Sequence, residues 1–573
     1  MPVHNSEIAA LFRRLADLLE IEGANPFRVR AYRNAARTVQ SHARSMADLL
    51  QEGQDLSDLP DIGTDLAGKI ETIVATGKLP LLEEVEARTP GALSDLMHIE
   101  GLGAKRVKKL YTELNIQTIE DLKRAARSGK IRALAGFGKK TEQMIEARLE
   151  RFTGQERRTK LVEADDIARP LVDYLQKTKG VKEIVIAGSY RRRKETVGDL
   201  DILVTASKNS PIMDRFTAYE EVVEIISKGK TRAAVRLRSG ISVDLRVVPQ
   251  VSYGAALVYF TGSKAHNIAI RKLGIKKGLK INEYGVFKGD RRVAGTTEKA
   301  VYAKIGLPLI APELRQDKGE IEAARKGRLP DLVTLQDLRG DLHCHTRATD
   351  GRHSLQQMAA AASARGYEYL AINDHSQHVT VAHGLNKQQL IEQIKAIDRL
   401  NEKLRDIVVL KSVEVDILEN GSLDLPDSVL RELDFTVCAV HYKFNLPRKQ
   451  QTERILRAMD NAYFNILAHP TGRLINERAP YAIDLERVMQ AARERGVMLE
   501  LNAHPDRLDL TADGCRMAKD LGVKVAIATD AHSTDGLDCM RFGIDQARRG
   551  WLEASDIANT RSLNQLQKLF ERR

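Results

Sequence analysis

Tryptophan occurs once and cysteine four times in 573 residues, and aromatic residues make up only 5% of the chain. The four cysteines (Cys344, Cys438, Cys515, Cys539) form no CxxC pair. So few in so long a chain exclude a disulfide framework and predict reduced thiols in a cytosolic setting. No apolar run approaches the ~20 residues of a membrane span. The start, MPVHNSEIAALF, is polar and then helical, which excludes a signal peptide. Disorder is excluded by 43% apolar residues. What remains is a well-packed chain long enough for about three to five domains.

The net charge of +12 is unevenly spread. Residues 1–160 carry 26 basic and 23 acidic residues, residues 161–330 carry 32 and 20, and residues 331–573 carry 32 and 35. Ten of the 14 histidines lie beyond residue 330. A basic middle predicts a polyanionic partner, and a histidine-rich end predicts metal.

Residues 6–150 read as helices, with apolar residues at three- and four-residue spacing. One pattern recurs at Leu59–Thr64, Ile99–Ala104 and Leu134–Lys139: a tight glycine turn opening an amphipathic helix. Glycines such as Gly63, Gly101 and Gly103 permit close approach, and free N–H groups at the helix start face a phosphate. Cations follow, including Lys69, Lys105, Arg106, Lys108, Lys109, Lys139 and Lys140. This is the shape of a repeated helix-hairpin-helix grip on a nucleic-acid backbone.

Residues 165–330 switch to mixed α/β, with strands at 183–187, 200–205, 233–237 and 242–248. Gly188-Ser189 follows the first strand and opens a loop with four successive cations, Arg191 to Lys194. Asp199 and Asp201 then share one face of a strand. Asp244 on a neighbouring strand could add a third carboxylate. Like charges so close need a counter-cation, and oxygen ligands suit Mg²⁺ or Mn²⁺. Three carboxylates beside a phosphate cradle are what two-metal phosphoryl transfer requires.

These residues resemble the X-family DNA polymerases. GSYRRRKETVGDLDILV is similar to that family's nucleotidyltransferase signature, Tyr259–Ser263 to its YFTGS segment, and Ile281–Tyr284 to its INEY strand. The resemblance implies that Asp199, Asp201 and Asp244 bind two metals and that Asp244 favours loss of the primer 3′-hydroxyl proton. It implies that Gly188, Ser189 and Arg192 contact the triphosphate, and that Tyr259, Phe260 and Gly262 sit against the sugar. Asn267 would reach the base-pair minor-groove edge, and Arg271 the template strand. Lys69 aligns with the family's Schiff-base lysine, which would remove a 5′-deoxyribose phosphate; a plain phosphate-binding lysine is the alternative. Three positions depart from the family pattern: Asp65 where an animal member has a phosphate-binding lysine, Arg193 for a loop glycine, and Ser242 for an arginine beside the third carboxylate.

In the last third, seven apolar β runs each end in metal-type ligands: His343, His345 and Asp350; His375; Glu414; His441; His469; the run with Glu500, Asn502 and His504; and Asp530 with His532. Helical stretches separate most of them, so parallel strands would bring their C-terminal ends to one face of a barrel. Nine ligands there suffice for up to three ions. Asp374 and His504 are open between outer support and phosphate contact. Cys344, between two histidines, is expected to point into the core. The set resembles the PHP (polymerase and histidinol phosphatase) domain, and bacterial X-family polymerases with this domain imply a 3′→5′ exonuclease, with 3′-phosphatase or abasic-site cleavage as further options.

The expectation is a multidomain chain: a helical lyase-like domain (1–90), fingers (91–160), a nucleotidyltransferase palm (161–250), a nascent-base-pair-binding subdomain (251–315), a linker (316–337), and a distorted (β/α)7 PHP barrel (338–573). It would be a DNA-directed DNA polymerase filling short repair gaps, with a 3′→5′ exonuclease. The rival reading is a DNA-end phosphoesterase that uses the polymerase-like part to hold DNA. Expected cofactors are Mg²⁺ or Mn²⁺ at the palm and Mn²⁺ or Zn²⁺ at the barrel. Expected partners are gapped or primed DNA and dNTPs, with no membrane, for a monomer near the nucleoid.

Overall fold

A computed structural model describes residues 3–571, except 43, 98, 100, 101, 139, 140 and 147–157; the side chains of residues 6 and 41 are also outside it. Gly101, Lys139 and Lys140 therefore lie outside the described residues. The chain divides into two compact units, residues 1–159 and 160–573.

The first unit is helical. Its core is built from α1 (Asn5–Glu22), α2 (Pro26–Ser41), α3 (Thr64–Thr76), α4 (Ala104–Leu114) and α5 (Ile119–Arg127), with Ile8, Phe12, Leu15, Ile70 and Val107 fully buried. Gly63 and Gly103 are the N-caps of α3 and α4, both with extended φ of −80°. A Cβ at either would meet nothing within 4 Å. Neither turn geometry nor packing inside the unit demands glycine there, and the effect is to leave the helix-start N–H groups open to close approach.

The second unit begins with α6 (Leu161–Gln176). A five-stranded sheet follows: β1 (Val181–Ile186), β2 (Asp199–Ala206), β3 (Val222–Lys228), β4 (Arg232–Leu237) and β5 (Ser242–Val247), in the order β1-β2-β5-β4-β3. Strands β2 and β5 are parallel and the other pairs antiparallel. Edge strand β3 escapes sequence reading because its apolar residues face solvent: Val223 is 60% and Ile225 52% exposed. A short helix, α7 (Gly188–Arg191), leaves β1. Helices α8 (Tyr253–Thr261) and α9 (Lys264–Lys276) and the antiparallel strands β6 (Lys280–Asn282), β7 (Gly285–Lys288) and β8 (Arg291–Ala294) form the next layer, closed by α10 (Glu298–Lys304).

The connector after it is packed. Glu320 is fully buried and takes a hydrogen bond from His266 Nδ1 (2.6 Å). Val333 N donates to Leu552 O (3.1 Å).

Parallel strands β9 (Gly340–Cys344), β10 (Tyr369–Ile372) and β11 (Val408–Lys411) come next, then β12 (Glu414–Asp416), β13 (Val437–Ala439), β14 (Ile466–Leu467), β15 (Met498–Asn502) and β16 (Val525–Ala528). β11 and β12 are one run kinked at Ser412-Val413, so seven runs result. Bridges His375–Glu414 and Cys344–Ala531 join the two sheets and close a distorted barrel. Crossover helices between strands, including α11 (Leu355–Ala364), α12 (Lys387–Asn401), α13 (Arg448–Met459), α14 (Leu485–Arg495) and α15 (Ala512–Leu521), present apolar faces to this sheet, as parallel strands require. Phe435, before β13, stacks on Phe570 of the C-terminal helix at 4.3 Å, so apolar packing fills the interior on the side away from the histidines.

Charge ties the first sheet to the barrel. Lys160, 2% exposed, donates to Asp506 (2.6 Å) and Glu477 (3.3 Å). Helix α16 (Met540–Arg549) faces α6 and the loop after β1, and Arg541 pairs with Asp165 (2.7 Å).

Candidate active sites

The parallel register of β2 and β5 sets Asp201 directly opposite Asp244, with Asp199 opposite Ser242. The three carboxylates thus share one sheet face near the N-terminal ends of the two inner strands β2 and β5. Burial, and then the charges of Asp199 and Asp244, push the Asp201 carboxyl up to about 6. Gly188, with φ +62°, lies against Asp201, and a Cβ there would sit 2.6 Å from Oδ2. Glycine is therefore required both by backbone angle and by space.

Arg192 donates to Thr261 O, which joins the loop to the end of α8. Arg191 donates to Thr261 Oγ1 (2.7 Å) and to both oxygens of Glu298 (2.9 and 2.7 Å). Glu298 also takes a hydrogen bond from the fully buried Arg315 (2.7 Å). Tyr259 and Phe260 meet edge to face, with centroids 5.0 Å apart. Arg246 lies over Phe260 (4.6 Å) and Arg271 over Tyr259 (4.9 Å). Asn267 Nδ2 donates to Tyr259 O (2.7 Å). Gly262 has φ +65°, and Ser263 caps α9. Ser189 is half-buried in the short helix α7 beside this cluster.

The barrel brings the nine histidine-site residues together around Glu414. Its Oε1 lies 3.0 Å from His469 Nε2 and 3.2 Å from His441 Nε2. Its Oε2 lies 2.9 Å from His375 Nδ1 and 3.5 Å from His343 Nε2. His345 Nε2 is 3.1 Å from both His343 Nε2 and Asp530 Oδ1. Asp350 Oδ2 lies 3.3 Å from His532 Nε2 and 3.4 Å from His375 Nε2. Three groupings have ligand atoms close enough for one ion each: His345, Asp350, His375 and His532; His343, His345 and Asp530; and His375, Glu414 and His441. Burial alone would raise the Glu414 carboxyl, but positive charge on His441, His375 and His343 holds it well below its usual range. His345 Nδ1 is buried without a hydrogen bond, and His375 Nδ1 meets Glu414 Oε2 at 2.9 Å but outside hydrogen-bond alignment. Such lone pairs, turned inward among carboxylates, fit a divalent cation.

An outer layer orients these rings. His343 Nδ1 donates to Glu500 (2.6 Å), and His441 Nδ1 to Asp416 (3.0 Å). Asp416 has no counterpart among the sequence-derived candidates, because an Asp two residues after a ligand carries no distinct spacing signal. Asp374 is spent on Thr346 N, Thr346 Oγ1, Thr349 Oγ1 and Gln393, so it supports loops. His504 Nδ1 accepts from Asp506 N (3.3 Å). Cys344 is buried in the apolar core.

Family comparisons agree with this geometry. The helix-hairpin-helix domain matches residues 3–79 and the SAM-like helix-hairpin-helix tandem residues 93–151. The DNA polymerase beta palm matches 160–238, the DNA polymerase beta thumb 256–316, and the PHP domain 341–504. The DNA polymerase/3′-5′ exonuclease PolX of Bacillus subtilis is 37% identical over 574 residues, covering 100% of both chains. The chain belongs to the bacterial X-family DNA polymerases that carry a PHP domain.

DNA polymerase lambda of Arabidopsis thaliana is 27% identical over 55% of this chain and 62% of its own. A probable phosphatase of Acetivibrio thermocellus is 32% identical over 34% of this chain and 78% of its own. Within the X-family frame, the three departures acquire structural accounts. Arg193, at φ +52°, reaches Asp545 of the barrel domain. Ser242 lacks a guanidinium, but Arg232 on β4 supplies one to Asp244. Asp65 pairs with Lys69 one helical turn away.

Proposed function

We propose that this polymerase fills short gaps in DNA at Asp199, Asp201 and Asp244 and trims 3′ ends at the PHP cluster, in a base-excision-type repair of the bacterial cytoplasm. The observation that carries the first half is the Asp201–Asp244 register with Asp201 raised to about 6. Three hard oxygen donors in mutual repulsion fit Mg²⁺ or Mn²⁺. The mixed nitrogen and oxygen set of the barrel fits Mn²⁺ or Zn²⁺, with up to three ions on its nine residues. When bound, these ions supply Lewis acidity and charge neutralisation at phosphorus.

The chain's own residues do the rest. Gly188 and Ser189 present backbone N–H groups at the start of α7, and Arg192 adds a guanidinium for the triphosphate. Tyr259 and Phe260 form a flat wall whose carbonyl at 259 is fixed by Asn267, and Arg271 stands over that wall on the template side. Asp244, in this reading, favours loss of the primer's 3′-hydroxyl proton. In the barrel, Glu500 and Asp416 hold His343 and His441 in one tautomer. In the helical unit, open N–H groups after Gly63 and Gly103, with exposed Lys105, grip the DNA backbone without reading sequence.

A one-nucleotide gapped duplex, with matched and mismatched 3′ ends, tests both halves in Mg²⁺ and Mn²⁺. Asp199→Ala with Asp201→Ala abolishes filling and leaves trimming. His343→Ala with His345→Ala does the reverse. Strong trimming by a wild type that never extends would favour the phosphoesterase reading.

A further inference from the structure

The loop from Gly188 to Glu195 is held on two sides. On one side, Arg191 and Arg192 are tied to Glu298 and Thr261 of the layer that follows the palm. The other side is built from the PHP domain. Arg549 Nη1 donates to the carbonyl of Arg192 (3.0 Å). Arg193 Nε donates to Asp545 (2.7 Å). Glu195 takes two hydrogen bonds from Arg473 (3.1 and 2.7 Å) and one from Gln546 (3.2 Å).

These partners come from two places in the barrel. Asp545, Gln546 and Arg549 lie on α16, and Arg473 follows His469 by four residues. Arg473 is itself fixed, because it also donates to Leu508 O. Its side chain is 9% exposed and that of Glu195 32%, so the pair is partly out of water. Replacing such pairs by apolar residues costs little stability, so what they contribute is geometry. The geometry they define is that of the backbone carrying Gly188, Ser189 and Arg192. A shift of an ångström there misplaces every phosphate ligand at once.

We infer that the PHP domain positions the triphosphate-binding loop, with Glu195, Arg473 and Arg549 as positioning residues for the incoming nucleotide. The inference rests on the palm being the nucleotide site. The barrel is then part of the polymerase as well as a nuclease in its own right.

The test uses the full chain on a one-nucleotide gap. Glu195→Gln and Arg549→Met raise the KM for dNTP about tenfold while kcat stays within twofold. Glu195→Asp and Arg549→Lys recover part of the loss. Glu195→Gln combined with Arg473→Gln is no worse than the poorer single variant, as coupled partners require. Nuclease rate, retained in Glu195→Gln, reports that the chain is folded. If Arg473→Gln fails to fold, the Glu195 and Arg549 series gives the answer alone. Unchanged KM in folded variants, or equal losses in kcat and KM restored by neither conservative change, overturns the inference. A wild type that extends no primer overturns instead the nucleotide-site reading beneath it.

Discussion

Arg232 grips Asp244 with both arms of its guanidinium, Nε to Oδ1 and Nη2 to Oδ2, each at 2.9 Å. The pair spans neighbouring strands and occupies both oxygens that a divalent cation would use. Arg232 is half-exposed, so the pair is worth only about 0.2–1 kcal/mol. Arg232→Gln should therefore lower the Mg²⁺ concentration for half-maximal primer extension by a factor between about 1.4 and 5. A metal titration of extension rate checks it; an unchanged midpoint would show that the pair does not compete with metal.

Gly188→Ala should abolish extension and spare trimming. The new Cβ would fall 2.6 Å from Asp201 Oδ2, at a φ of +62° that alanine resists. Extension and nuclease assays on one preparation separate this local effect from misfolding.

Glu500→Gln should weaken trimming about 10–100-fold, because the amide keeps an acceptor for His343 Nδ1 but loses the charge behind it and turns an NH2 toward the His469 N–H that Glu500 now accepts. Added Mn²⁺ should restore part of the rate, and gap filling should not change. Full activity at limiting metal would remove Glu500 from the site.

Glu298 holds Arg191 and the buried Arg315, which keep its carboxyl below the usual range against the opposing effect of burial. A depressed folded value means that this stability is present above about pH 4.5 and is lost as pH falls through the folded value. Glu298→Ala should cost about 3–5 kcal/mol near neutral pH. The difference in Tm from wild type should shrink on going from pH 6 to pH 3, read by thermal melts.

Asp65 holds the Lys69 ammonium within one helix turn. A sugar aldehyde must displace that partner to reach the amine. Borohydride trapping on a 5′-deoxyribose phosphate end should rise about twofold in Asp65→Asn, in line with an i,i+4 pair of a few tenths of a kcal/mol. No trapping in either protein would leave Lys69 with a phosphate-holding role.

The sequence carries the two centres because their ligands obey local periods. Asp199 and Asp201 sit two apart on a strand, and each PHP ligand sits just past an apolar run. What supports those ligands obeys none. Arg232 reaches Asp244 across a strand pair, where no spacing along the chain marks it, and Glu195 meets Arg473 across 278 residues. Such contacts join charged residues that read, one by one, as solvated surface. Edge strand β3 is hidden for the converse reason: its Val223 and Ile225 are exposed, so alternation marks no buried face.

Lys160 opens the palm and is buried with its charge answered by Asp506 of the barrel. Cutting the chain at the connector would remove Asp506, Glu477 and Asp545 and open to water the charged face on which Lys160 and Arg193 now sit. The face between palm and barrel is thus a charged seam, matched pair by pair, and not an apolar one.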